Sequence, residues 1–225
     1  MCLVLYETYM KEGFLIIDKP SGWTSHDVVA KMRGVLGVKK IGHLGTLDPL
    51  STGVLVLAVS KKFTKQAQNY MGCDKDYEVV AELGKVSNTY DSDGEVEVTG
   101  VDCDFSLEEI ENTLAKFWGK TMQVPPAFSA KKINGRRAYK MARAGQEVKL
   151  AAREVEMEGS DIVWDAPILK FKVRVSSGTY IRSLLHDLGQ QLGCGAIMTG
   201  LRRTRVGEFK IEDSKTIAEV QQSTL

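Results

Sequence analysis

Residues 42–59 constrain this chain more than any other stretch. A loop holding Gly42, Gly45 and Gly53 carries one carboxylate, Asp48, and runs straight into Val54-Leu55-Val56-Leu57-Ala58-Val59. Six consecutive apolar residues, rich in β-branching and bounded by turn residues, fit a buried strand better than a helix. Asp48 is therefore expected at the mouth of a core strand. Pro49 biases the residue before it toward extended dihedrals and has no backbone N–H, which keeps the carboxylate off any helix on a stiff piece of backbone. That suits a reacting group, although the residues alone describe equally well an Asp that supports a turn.

A chain of 225 residues buries a substantial core as one large domain or two small ones, and one is the reading favoured. Hydrophobic residues at 43% with charged residues at 26% place it among soluble globular proteins and exclude a disordered class. No apolar run approaches the roughly 20 residues that a spanning helix needs, so a membrane class is not indicated. The start has neither a basic n-region nor a small-residue cleavage site, so it does not read as a secretory signal. Residues 1–12 read as an N-terminal extension, with Met10 an alternative start. Cys2, Cys73, Cys103 and Cys194 are far apart and form no C-x-x-C pair, which fits reduced thiols in a cytoplasmic protein. A net charge of +1 excludes a uniformly basic coat for nucleic acid but leaves room for a local basic stripe.

Phe14–Ile17 reads as a short strand stopped by the turn Asp18-Lys19-Pro20-Ser21-Gly22. Thr24 and Asp27 form a capping box for a helix that carries Val28, Val29, Met32, Val35 and Leu36 and ends at Gly37. A helix over Lys61–Met71 and a strand over Tyr77–Leu83 follow the core strand. Ser106 and Glu109 cap a packing helix that closes at Gly119. Paired prolines keep Gln123–Ala130 out of regular helix. Lys131, Lys132, Arg136, Arg137, Lys140 and Arg143 then fall within thirteen residues without an acid, interleaved with Ile133, Tyr139 and Met141. Such a run ordinarily reads as a solvated face. The aromatic and apolar interleaving fits an insertion that grips phosphates. Leu169, Phe171, Val173 and Val175 alternate with Lys170, Lys172 and Arg174, predicting a strand with one core face and one cationic face. A helix carrying Ile181, Leu184, Leu185 and Leu188 ends at Gly189 or Gly193, and a last short helix runs from a cap at Asp213 or Ser214 to about Gln222.

The 42–55 loop, read as G-H-x-G-x-L-D-P-x-x-x-G-x-L, closely resembles the catalytic loop of the TruB family, the tRNA pseudouridine synthases that act on the T-arm uridine at tRNA position 55. Leu44 stands where Thr is common in the family. Further segments are similar to family motifs: I-D-K-P-S-G-W-T-S-H from Ile17, K-x-Y at Lys75–Tyr77, and the Gly84–Gly94 loop, in which Ser87 and Asn88 replace the usual Thr-Asp. The basic run reads K-x-x-G-R-R-A-Y-x-x-A-R-x-G from Lys132, S-x-G-T-Y-I-R-S starts at Ser176, and L-R-R-T-x-x-G-x-F starts at Leu201. The resemblance covers residues 13 to about 220.

It implies an α+β (mixed α/β) pseudouridine-synthase fold: a central, largely antiparallel mixed sheet flanked by helices, with residues 13–225 as the catalytic domain and a basic thumb insertion at about 124–150. The small C-terminal RNA-binding domain that many bacterial members carry is not expected. Asp48 becomes the nucleophile and Tyr77 the ring that stacks on the target uracil. Arg182 becomes the cation that keeps Asp48 charged, since burial alone raises a carboxyl pKa and a guanidinium stays protonated. His43 braces the space left by the flipped base, Asp91 binds or orients, and Leu201 lines the pocket. Lys19 joins the RNA-facing set, although its own residues read as loop structure. Thumb residues Lys131, Lys132, Arg136, Arg137, Lys140 and Arg143 contact the T-arm of tRNA.

Pseudouridine formation is redox-neutral and needs no cofactor or metal; the chain has no dinucleotide fingerprint, P-loop or His/Cys metal motif. A monomer with no obligate protein partner and no membrane attachment is expected. The rival readings are a guide-RNA-dependent synthase subunit and a non-catalytic RNA-binding or chaperone module.

Overall fold

A computed structural model gives the structure of the chain and describes residues 11–223 apart from Met71, Ala130 and Asn134. Cys2, Met10 and most of the expected N-terminal extension lie outside the described residues. The contacts divide the chain into two compact units, one running to Lys75 and resuming at Arg202, the other Asp76–Leu201.

The first unit is built on the expected core strand. β1 (Gly13–Lys19) leads through a turn to α1 (Ser25–Leu36). Thr24 and Asp27 form the capping box there, and Gly37 closes the helix in the left-handed conformation at φ 64°. β2 (Ile41–His43) precedes the 44–51 loop, and β3 (Thr52–Val59) is buried throughout from Gly53 to Val59. β1 and β2 both pair with β3 antiparallel. Val54, Val56 and Ala58 pack with Ile16, Leu44 and Val206, and a ring of Phe14, Phe63, Tyr70 and Phe209 closes that cluster. Alternation sends Leu55, Leu57 and Val59 to the opposite face, where they are equally buried. α2 (Lys61–Gln66) is shorter than the expected Lys61–Met71 helix. Ser60 caps it with no side-chain bond, and the chain tightens into a 3₁₀ turn at Ala67–Tyr70.

The second unit begins at Asp76, one residue into β4 (Lys75–Leu83), and continues with the small hairpin β5 (Lys85–Ser87) and β6 (Val96–Val98), and α3 (Leu107–Ala115), capped by Ser106 and Glu109 as expected. β7 (Gly119–Gln123) is followed by the thumb, a tight hairpin of β8 (Lys132–Ile133) and β9 (Arg136–Arg137) leading into α4 (Ala138–Arg143). β10 (Arg153–Asp165) pairs antiparallel with β7 and with β11 (Ile168–Val175). β11 alternates as predicted, with Leu169, Phe171, Val173 and Val175 buried and Lys170, Lys172 and Arg174 exposed. α5 (Ile181–Leu192) passes Gly189 and stops at Gly193, whose φ of 78° suits a left-handed cap. β12 (Ala196–Val206) completes a strand order of β12-β4-β11-β10-β7 in this unit.

The last residues of β12 belong to the first unit, where Arg202 and Arg203 pair in parallel with Thr52 and Gly53 of β3. β13 (Phe209–Lys210) pairs back on β12 antiparallel. α6 (Ile217–Gln222) starts later than expected: its cap is Thr216, not Asp213 or Ser214. Thr216 has Glu219 three residues on and completes a capping box, which neither earlier residue can do; Asp213 ends a 3₁₀ turn instead. The expected α+β class, with a mixed and mainly antiparallel set of strands flanked by helices, is the one found.

Candidate active site

The 44–51 loop of the first unit is held by its backbone at nearly every residue. Ser25 Oγ donates to Leu47 O at 2.9 Å and accepts from Leu47 N at 2.8 Å. Lys19 is fully buried, and its Nζ donates to the carbonyls of Pro20, Trp23 and Pro49 at 2.8, 2.6 and 3.2 Å. Gly22 N also donates to Pro49 O, Ser21 Oγ to Leu50 O, and Ser51 N to Asp48 O. Asp48 thus sits between two residues, Leu47 and Pro49, whose backbones are both pinned. That is the stiff mount expected from its sequence, built by more partners than the proline alone.

Arg203 is the largest of these clamps. It is 1% exposed and donates to Val54 O at 2.8 Å, Gly45 O at 3.1 Å and Thr46 O at 3.4 Å. Gly53 makes that reach possible: a Cβ there would stand 2.2 Å from Arg203 O, and its φ of 96° is open to glycine at little cost. Its neighbour Arg202 points the other way and forms a forked pair with Asp18 at 2.8 and 3.1 Å. Two adjacent arginines on one strand must face opposite sides, so L-R-R-T held this signal; it was missed because no strand was assigned there. Ser25 carried no comparable signal.

His43, at the end of β2, has a buried Nδ1 with no hydrogen-bond partner among the described residues. Burial, then the Arg203 guanidinium, hold its pKa below the ordinary 6.5. Lys75 lies near the same loop, with Cε 3.8 Å from where a Gly45 Cβ would be, and burial followed by Arg203 lowers its pKa as well. Lys19, expected among RNA contacts, instead has its ammonium inside the unit on carbonyl oxygens.

In the second unit, Arg182 opens α5 and is 5% exposed. Its Nη1 donates to Thr89 O and its Nη2 to Phe128 O, both at 2.9 Å, and Nη1 lies 3.5 Å from Asp91 Oδ2. Asp91 is 4% exposed, and its Oδ1 accepts from Thr89 Oγ1 at 2.6 Å and Asp93 N at 3.2 Å. The Asp91 loop is fixed further by Tyr90, held at φ 65° with its ring stacked on His186 at 3.9 Å. Asp91 thus lies in ion-pair distance of the Arg182 guanidinium, and His186, given no role from sequence, packs against the loop that carries it. Gln123 carries a second unforeseen support: its side chain donates to Tyr180 O at 3.0 Å and accepts from Tyr180 N at 2.8 Å, fixing the start of α5. Tyr77 is 7% exposed near the start of β4, and Leu201 is half-buried on β12.

In the thumb, Arg136, Arg137, Lys140 and Arg143 are exposed, and Arg143 lies over the Tyr139 ring at 5.8 Å. Lys131 is half-buried and its pKa is lowered by burial, then by Arg153. The side chain of Lys132 lies outside the described residues. Among the described residues no three His, Cys, Asp or Glu side chains gather as a metal site, and no helix is long and apolar enough to cross a membrane.

Residues 33–181 match the N-terminal domain of the TruB family pseudouridylate synthases, and residues 182–225 match the C-terminal domain of tRNA pseudouridylate synthase B. The tRNA pseudouridine synthase B of Solibacter usitatus is 42% identical over 211 residues, 93% of this chain and 72% of that protein. That of Chlamydia felis is 42% identical over 205 residues, 91% of this chain and 87% of its own. That of Opitutus terrae is 43% identical over 211 residues, covering 93% and 87%. Among solved structures, a chain of a Cbf5-Nop10-Gar1 complex superposes with a TM-score of 0.74 at 31% identity over 95% of this chain. This chain spans 55% of that one, about half its length.

Proposed function

The chain belongs to the TruB family of pseudouridylate synthases, and from that premise we propose that it is an isomerase that converts uridine 55 in the T-arm of tRNA to pseudouridine. The C1′–N1 bond breaks and a C1′–C5 bond forms; the C5 hydrogen leaves to water and N1 gains a proton, so composition and oxidation state are unchanged. Asp48 supplies the nucleophilic carboxylate, and attack at C1′ or addition at ring C6 would use the same group. Arg182 supplies the compensating guanidinium, Tyr77 the ring that stacks on the base, and Leu201 an apolar wall. The target base leaves its stack first, and His43 braces the space behind it. The exposed thumb cations at Arg136, Arg137, Lys140 and Arg143 grip phosphates, with Lys131 and Lys132 beside them.

The observation that supports this reading most is the mounting of Asp48 between two pinned residues. A turn residue needs no such rigidity, whereas a nucleophile gains rate from it, because a displacement of about 1 Å in a reacting group can cost about a hundredfold. The enzyme is proposed to act as a monomer in the cytoplasm, without a guide RNA. The test is tritium release from an unmodified tRNA transcript labelled at uracil C5. Release from wild-type protein alone, lost when uridine 55 is replaced by cytidine, supports the proposal. Release only on adding a guide RNA favours the subunit reading, and binding without release favours the chaperone reading.

A further inference from the structure

One turn of helix separates Arg182 from His186, so their side chains leave α5 on the same face. They meet three consecutive residues of the Gly84–Gly94 loop. Arg182 Nη1 donates to Thr89 O at 2.9 Å and lies 3.5 Å from Asp91 Oδ2. Between those two residues, the Tyr90 ring lies flat on the His186 ring, with centroids 3.9 Å apart and planes 10° apart. Tyr90 holds a φ of 65°, in the left-handed region that a residue with a Cβ seldom enters. Such a conformation persists only where the surroundings over-determine it. Here the backbone supplies part of that hold: Tyr90 N donates to Ser87 O at 3.2 Å, Met198 N to Tyr90 O at 3.0 Å and Ser92 N to Met198 O at 3.0 Å. Ser87 Oγ adds a bond to Asp91 O at 2.6 Å. Burial holds the His186 pKa below the ordinary 6.5, against the pull of Asp187, and burial followed by Asp187 raises that of Tyr90. Two uncharged rings therefore meet at neutral pH.

We propose that Tyr90 and His186 are positioning residues for the isomerisation: their stack holds the 89–91 turn, and through it the Arg182 guanidinium, in the orientation the reaction uses. Two observations favour this over packing alone. A ring that only filled space would sit on a relaxed backbone, whereas strain kept at the one residue between two partners of a buried arginine marks a turn held for its geometry. His186 also comes from the helix that carries Arg182, so the ring contact and the guanidinium contacts grip the same turn from one rigid element. The proposal rests on the role given to Arg182 above and adds what sets the geometry of that residue.

The experiment compares wild type with His186→Ala and His186→Phe. Three quantities are measured: the single-turnover tritium-release rate at saturating tRNA, the tRNA Kd, and the hydrogen exchange of the Arg182 guanidinium by NMR, its signals assigned by their loss in Arg182→Lys. Removing the ring in His186→Ala lowers the rate about tenfold or more, leaves Kd within about twofold and speeds the exchange, because a misplaced group costs rate without costing binding. Restoring a flat ring in His186→Phe recovers most of the rate and slows the exchange again. A wild-type rate or an unchanged exchange in His186→Ala overturns the proposal, as does a rate in His186→Phe as low as in His186→Ala. If His186→Ala does not fold, Tyr90→Gly takes its place with the same expectations, since glycine accepts the left-handed φ and only the ring is lost. Tritium release by the wild type is scored separately. If release is absent and the exchange still speeds in the ringless variant, the activity proposal fails and the Tyr90–His186 clamp on Arg182 stands.

Discussion

The Asp48 loop and the thumb use the same residue types to opposite ends. In the loop, Lys19 and Arg203 are buried, 0% and 1% exposed, and their protons go to backbone carbonyls. In the thumb, Arg136, Arg137, Lys140 and Arg143 stand in solvent on a short hairpin and one and a half turns of helix. A buried cation with several carbonyl partners fixes geometry, because breaking it leaves a charge and several dipoles stranded. An exposed one fixes little and supplies field, which salt screens within about 10 Å. The lesson is that lysine and arginine are building material in one region and, in the reading proposed here, docking charge in the other, with burial separating the two.

The largest effect expected from breaking this division falls on Asp48. Asp48→Asn should lower tritium release by about 10⁴-fold or more while leaving tRNA affinity within about twofold, since one nucleophile is lost and no binding charge is. Equal release in the variant would remove Asp48 from the chemistry. Next comes Arg203→Met, which strands three carbonyls inside the loop and should cost about 3 kcal/mol of stability, read as a lowered midpoint of urea unfolding. A midpoint equal to wild type would mean that solvent or a shifted neighbour satisfies those carbonyls.

Smaller effects belong to the thumb. Arg136→Ala with Arg137→Ala should leave the unfolding midpoint nearly unchanged, weaken tRNA binding several-fold and reduce the salt slope by about 1 to 2. A changed midpoint with an unchanged slope would make these arginines structural, like Arg203. The smallest effect is the pH response of His43. Burial and the Arg203 charge hold its folded pKa below 6.5, so the unfolded chain binds this proton more readily and acidification costs stability. The loss begins as pH falls through about 6.5 and is complete once the folded pKa is passed, so His43→Gln should reduce the drop in Tm between pH 7 and pH 5 by a few degrees at most. An unchanged drop would assign it to other groups.

Much of the fold was legible because its signals are local. Val54–Val59 reads as a buried strand, the Thr24 and Ser106 boxes mark helix starts, and Leu169–Val175 alternates without error. The expectations that slipped were those set by competition. Thr216 outbids Asp213 as a cap only because Glu219 lies three residues further on. α2 gives way after Gln66 to a 3₁₀ turn, a tightening that the sequence pattern does not distinguish from continued helix. The candidate residues divide in the same way. Asp48 and Arg182 stand in motifs that a chain displays openly, whereas the residues that hold the Asp48 loop in one unit and the start of α5 in the other come from distant places. Arg203 is 155 residues beyond Asp48 in the numbering, and Gln123 and His186 act on α5 and its neighbouring loop through contacts that no periodicity encodes. Lys19 shows the related limit that sequence displays a charge but not whether it is buried.

The division between buried and exposed cations is tested most directly by measuring, side by side, the single-turnover tritium-release rate at saturating tRNA and the tRNA Kd. The two proteins to compare are Arg203→Lys and Arg136→Ala with Arg137→Ala. Lysine keeps the charge but cannot reach three carbonyls at once, so the first variant should lose rate by about tenfold or more with Kd unchanged. The second should lose affinity with the saturating rate unchanged. If Arg203→Lys weakens binding and leaves the rate intact, or if both variants move the same quantity, then burial does not separate the two uses of charge and the account is wrong.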